Sequence, residues 1–131
     1  MTSSLLVLLA GVAYVVIGVV FARLPAATHQ TLVLWRLAAW GVSGLVYAAQ
    51  IGYLRLRAGR STLVTAWQAA LAAAIGAFGL AVVGPARMAL LGEARGPAWI
   101  LALLLWPLIT GVPAFLVAYV TATVLARLAR Q

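Results

Sequence analysis

The sequence contains no cysteine, no lysine and a single acidic residue, Glu93. Without cysteine, disulfides, zinc thiolate sites and thiol redox relays lack their ligand. Without lysine, no Schiff base to retinal or pyridoxal can form. One carboxylate and one imidazole, His29, cannot supply a carboxylate pair for hydrolysis or a cage for a metal ion. We therefore predict no catalytic residues, no metal and no cofactor within one chain, and the protein is not expected to be an enzyme.

Positive charge is abundant, and all of it comes from arginine. Nine arginines against one acid give a formal net charge of +8. In a soluble protein this balance would favour a nucleic-acid partner. Here the arginines lie at the ends of long apolar stretches, where cations meet lipid phosphates, and no aromatic residues alternate with them on a basic face. The pattern predicts membrane lipids as partners and no nucleic acid.

Apolar residues make up 66% of the 131 residues, charged residues only 8%, and the mean hydropathy is +1.15. A single small soluble core cannot bury that much apolar surface. The composition predicts an all-α integral membrane protein, a four-helix transmembrane bundle with short loops that forms one domain over residues 1–131. The predicted spans are residues 4–24, 31–54, 62–84 and 98–126.

The span boundaries follow from breaking and capping residues. Pro25 closes the first span, an arginine-rich segment at 55–60 stops the second, and Ser61 or Thr62 can cap the third. Gly84 and Pro85 are a strong breaker pair and predict the end of the third span, which leaves 86–96 as a connector on the membrane surface. A cleavable signal peptide over the first span is the weaker alternative, because no basic residue precedes its long apolar run.

The third and fourth spans have distinctive compositions. The third is rich in alanine and glycine, which let neighbouring helices approach closely, so we expect it to be the buried central helix. The fourth is longer than a bilayer core requires and contains Pro107 and Pro113. Since each proline removes a helical hydrogen bond, we expect a kink between Trp106 and Phe115. The first and third spans have similar endings, so duplication of a two-helix hairpin stays an alternative origin of the four spans.

Arginine counts predict the orientation. Four spans place both termini and the loop between the second and third spans on one side. That side holds Arg55, Arg57, Arg60, Arg127 and Arg130; the other holds Arg23, Arg87 and Arg95, with Arg36 just inside the membrane. The bias predicts a multi-pass cell membrane protein with both termini in the cytoplasm, and its small margin leaves dual topology open.

The second span carries the most informative polar pattern. Five residues follow one another at spacings of four, three, four and three, which places them on one helix face: Arg36, Trp40, Ser43, Tyr47 and Gln50. We call them the polar stripe. Polar groups in a membrane helix seldom face acyl chains, so the stripe is a candidate contact for a partner, a lipid or cofactor headgroup, or a solute. Ordinary packing inside the bundle is the alternative interpretation.

Two further features concern association. Gly44, Ala48 and Gly52 recur every four residues on the neighbouring face of the second span, a spacing typical of close helix contact within the bundle or in an oligomer. Glu93 has two candidate ion pairs, one with Arg36, which would tie the second span to the last loop, and one with the nearer Arg87 or Arg95.

These features favour a non-catalytic small integral membrane subunit or accessory protein, which packs against a larger membrane complex or forms a homo-oligomer with its own copies. The alternative is a small oligomeric transporter or channel, in which Arg36 would line a path for an anionic solute and the kinked fourth span would act as a gate. A flux measurement distinguishes the two.

Overall fold

A computed structural model describes residues 2–92 and 96–131. The described chain is helical, with four long helices joined by short connections. Their bounds are Ser3–Arg23 (α1), His29–Gly52 (α2), Thr62–Leu90 (α3) and Ala98–Leu128 (α4), and α2 continues through a π-helical turn at Tyr53–Arg57. The four helical segments, with α2 taken through its π-helical turn to Arg57, are long and apolar enough to cross a membrane. The prediction of four such helices is thus confirmed.

Helix α3 lies at the centre of the bundle. Its most extensive contacts are with α4 and α1, whereas α2 packs mainly on α1. Residues buried on α3 are small or short: Thr65, Ala66, Ala69, Ala70, Ala72 and Gly76. On the α4 side they meet Ala118 and Ala122, both fully buried. Small side chains let the helix axes approach closely, so the prediction of α3 as the central helix is confirmed.

The interior contacts establish an alternating chain direction. Gly11 of α1 faces Ile75, and Gly18 faces Leu80, so α1 and α3 run parallel. Ala74 of α3 lies beside Gly111 of α4, whereas the apolar cluster places Ala66 near Ala118 and Ala122, so these two helices run antiparallel. The end of α2 and the end of α4 consequently lie at the same end of the bundle.

The third helix extends past the predicted boundary at Gly84. It continues through Pro85 to Leu90, so the prediction that the Gly84–Pro85 pair ends it is wrong. Proline removes one backbone hydrogen bond, but ending a helix in an apolar segment would leave several backbone groups without partners. Gly92, with a φ of 79°, provides the left-handed residue that follows the actual helix end.

The second helix also differs from its predicted bounds of 31–54. It begins at His29, because the Thr28 hydroxyl accepts a hydrogen bond from the Thr31 backbone N–H (3.1 Å). At its other end the π-helical turn carries the helical path on to Arg57. Ser61 caps α3 by accepting from the Val64 N–H (3.3 Å), as the sequence predicts.

Candidate functional site

A buried polar cluster joins α1, α2 and α3 near the C-terminal end of α2. The Tyr14 hydroxyl donates to Oε1 of Gln50 (3.3 Å), and Nε2 of Gln50 donates to the backbone carbonyl of Gln68 (3.4 Å). Only 5% of Gln50 is exposed. One amide side chain on α2 therefore connects three helices, using both its acceptor and its donor.

Tyr47 extends the same cluster to the fourth helix. Its hydroxyl donates to the backbone carbonyl of Ala114 in α4. Its ring packs against the apolar residues at both the α1–α3 and the α3–α4 contacts. Tyr47 and Gln50 together thus connect α2 to each of the other helices. Side-chain hydrogen bonds of this kind specify how apolar helices pair, since dispersion contacts alone discriminate poorly between registers.

Two polar atoms of α3 lie in the interior without a partner among the described residues. They are Oγ1 of Thr65 and Oε1 of Gln68. The Gln68 backbone carbonyl belongs to the cluster, but its side-chain oxygen does not. Buried polar atoms of this kind add to the polarity of the interior beside Gln50.

The polar stripe divides into an interior half and an outer half. Tyr47 and Gln50 enter the cluster and Ser43 is half-buried, whereas Arg36 is exposed and 79% of Trp40 is exposed. The division has a physical cause. The hydrogen bonds and apolar contacts of α2 with α3 and α4 involve its last turns. Nearer its N-terminus α2 contacts α1, where the rings of Trp35 and Phe21 meet at a tilt of 55°.

Sequence analysis missed Tyr14, Gln68 and Thr65 as members of the buried polar cluster and its surroundings. Tyr14 is isolated in a strongly apolar helix, and Thr65 and Gln68 lie three residues apart on one face of α3, which were the available signals. A lone tyrosine or glutamine in such a segment needs a hydrogen-bond partner on another helix. The partner itself depends on helix register, which a single sequence does not specify.

The glycines of α2 have different surroundings from those of α1 and α3. A Cβ placed on Gly76 would lie 2.6 Å from Cβ of Tyr14, and one on Gly11 would lie 2.7 Å from Ile75. By contrast, a Cβ on Gly41 or Gly44 would meet no atom within 4 Å. Gly11 and Gly18 of α1 and Gly76 and Gly79 of α3 are thus used for contact inside the bundle, whereas the glycines of α2 are not.

We call Gly41, Gly44, Ala48 and Gly52 the outer face of α2. Spacings of three and four place them on one side of the helix, and the first three are exposed. Leu37 and Leu45 border this face and are exposed to 61% and 72%. The outer face is a shallow apolar groove along the helix, beside the exposed half of the polar stripe.

Comparisons with protein-family models, with curated proteins and with solved structures find no match for this chain. Its function is therefore inferred from its own residues. Residues 2–92 and 96–131 contain no group of three metal-ligating side chains. Glu93 lies outside the described residues. Its candidate ion pairs, with Arg36 and with Arg87 or Arg95, therefore both stay predictions.

Proposed function

We propose that this protein is a non-catalytic integral membrane protein that associates through the outer face of α2 with a transmembrane helix, supplied by a larger membrane complex or by a second copy. The observation that carries the proposal is the contrast among the glycines. Glycines at the α1–α3 contact exclude any side chain, whereas Gly41, Gly44 and Gly52 face open space. Small residues at these spacings on an exposed helix face are typical of close helix–helix association.

The residues that border the outer face support the same proposal. Trp40 and Arg36 form the exposed half of the polar stripe. They lie toward the N-terminal end of α2, away from the contact of Gln50 with α3. A guanidinium at a membrane edge can pair with a carboxylate of another subunit or with a lipid phosphate. A partner helix in the groove would thus find apolar contact along its length and a charged group at one end.

The proposal includes the membrane arrangement. We place all four helices across the cell membrane, with both termini in the cytoplasm and with α4 bent near Pro107 and Pro113. The support is the length and hydropathy of the helices and the arginines at the end where α2 and α4 terminate.

Reporter fusions at Gln131 test the orientation. We expect a fluorescent protein that matures only in the cytoplasm to be bright at this position and a phosphatase that is active only outside to be silent, because most arginines of the loops lie at this end. A matched pair of fusions in the loop at Ala26 should give the opposite result. An active phosphatase at Gln131 would contradict the proposed orientation.

Cysteine cross-linking tests the association, and the chain has no cysteine of its own to cause background. With a second copy as the partner, we expect Ala48→Cys to form an intermolecular disulfide in native membranes. Leu116→Cys is the control, because it is exposed on α4 and lies at similar depth, given that Tyr47 contacts Ala114. A larger side chain in the groove, Gly44→Leu, should lower the Ala48→Cys yield roughly tenfold, equivalent to ~1.4 kcal/mol.

Two further variants are compared by their yield of the Ala48→Cys cross-link. Gly84→Leu inserts the same side chain into open space on α3 and should leave the yield unchanged. Arg36→Leu should lower the yield while the unfolding temperature in detergent stays the same. Equal cross-linking of Ala48→Cys and Leu116→Cys would contradict the proposal. Anion flux that requires Arg36 would favour the transporter alternative.

A further inference from the structure

A half-open surface cavity of about 200 Å³ lies where the end of α2 meets the end of α4. It is lined by Arg55 and Leu56 of the π-helical turn and by Leu125, Ala126, Ala129 and Arg130. This volume is many times the ~10 to 15 Å³ that one water requires, so a tetrahedral oxyanion fits. Two guanidinium groups and four apolar side chains give the cavity a charged part and an apolar part.

The π-helical turn determines where Arg55 lies. A backbone hydrogen bond from the Ala58 N–H to the Tyr53 carbonyl (2.9 Å) defines the wider turn, and Leu54 within it is 1% exposed. Arg55 follows directly and is half-buried beside α4. A π turn of this kind is common at the C-terminus of a helix, and Gly59, with a φ of 61°, follows it in the left-handed conformation.

The guanidinium of Arg55 is only partly satisfied by the protein. Nη1 donates to the backbone carbonyl of Arg60 (2.8 Å), which fixes the plane of the group. Nε is buried and has no partner among the described residues. A half-buried cation with few partners is stabilised by an anion beside it, and the planar guanidinium matches the oxygens of a phosphate or carboxylate.

The charge around the cavity selects an anion. Arg60 and Arg127 belong to the same end of the bundle, and residues 2–92 and 96–131 contain no acidic side chain. The apolar lining adds a second requirement. Leu56 and Leu125 would contact a hydrocarbon part of the ligand, which inorganic phosphate does not have.

We propose that this cavity binds the phosphate group of an anionic phospholipid, with the guanidinium groups of Arg55 and Arg130 holding the oxygens and the leucines contacting the glycerol and upper acyl chain. Basic pockets between helices at the cytoplasmic end are suited to such headgroups. The proposal rests on the membrane insertion proposed above and is independent of the outer face of α2, whose cross-links report on association alone.

Native mass spectrometry of the full chain in neutral detergent tests this site with phosphatidylglycerol, phosphatidylcholine and inorganic phosphate added separately. We expect phosphatidylglycerol to bind roughly tenfold more tightly than phosphatidylcholine, since the arginines meet an uncompensated phosphate charge. Arg55→Gln should abolish the preference, Arg55→Lys should keep only part of it, and Arg130→Gln should weaken it. Arg130 follows the last turn of α4, so this last change leaves the fold intact.

Arg57→Gln is the matched control, because it removes the same charge from the same turn but Arg57 does not line the cavity. It should keep the phosphatidylglycerol preference. Equal binding of the two lipids, or equal losses from Arg57→Gln and Arg55→Gln, would overturn the site in favour of diffuse surface charge. Inorganic phosphate that binds as tightly as the lipid, with the same dependence on Arg55, would overturn the phospholipid as occupant.

Discussion

Replacing Gly76 with alanine should destabilise the protein by about 1 to 3 kcal/mol, the usual range for overpacking a close contact. The added methyl would lie 2.6 Å from Cβ of Tyr14. Because that atom is attached directly to the backbone of α1, no side-chain rotation relieves the overlap and α1 itself must move. Movement of α1 also separates the Tyr14 hydroxyl from Gln50, which adds to the loss.

Gly44→Ala is the control for this experiment. It makes the same change in another helix, where the new methyl meets no atom within 4 Å. Its effect on monomer stability should be neutral, or stabilising by up to about 1 kcal/mol, because alanine is the better helix former. Denaturant titration in detergent, followed by far-ultraviolet circular dichroism, measures both. Equal stability of the two variants would mean that α1 and α3 do not meet at this register.

Gln50→Leu should destabilise the protein by about 1 to 3 kcal/mol. Membrane side-chain hydrogen bonds average only ~0.6 kcal/mol each, so the two bonds of Gln50 alone account for about 1 kcal/mol. The remainder, up to about 2 kcal/mol, comes from the buried Tyr14 hydroxyl, which would lose its partner. A lipid-facing glutamine would give the opposite sign, since leucine is better solvated by acyl chains.

A double-mutant cycle with Tyr14→Phe identifies the source of that loss. Once the hydroxyl is absent, Gln50→Leu no longer leaves it without a partner and should cost less than in the parent protein. The coupling is measured by the same denaturant titration. Additive effects of the two substitutions would contradict a direct Tyr14–Gln50 hydrogen bond, and a Gln50→Leu protein more stable than the parent would place Gln50 outside the bundle.

Much of the architecture could be predicted because apolar run length and arginine position are properties of a single helix. The four helices follow from them, and the central position of α3 follows from its alanine and glycine content. The end of α3 could not be predicted in the same way. A proline terminates helices in water more readily than in apolar surroundings, where unpaired backbone groups are costly. Gly92 was the better marker of that helix end.

The candidate sites were predictable only in part. Helical spacing correctly grouped Tyr47 with Gln50, but whether a face is buried depends on which part of the helix its neighbours contact, so Trp40 and Gln50 differ completely in exposure. The π-helical turn that places Arg55 depends on packing of Leu54 against α4 and its neighbours. From sequence, Arg55 was only one of several arginines that fix orientation.

The contact between α1 and α3 has a consequence for biosynthesis. Gly11 and Gly18 of α1 face Ile75 and Leu80, so their partner is synthesised roughly 60 residues later. At ~5 to 20 residues per second, α1 leaves the ribosome several seconds before the helix that covers its glycines. Until then α1 has only α2 as a neighbour. Nascent chains arrested before α3 should therefore cross-link from α1 to insertion factors or membrane chaperones, and release of the arrest should replace those contacts with α3.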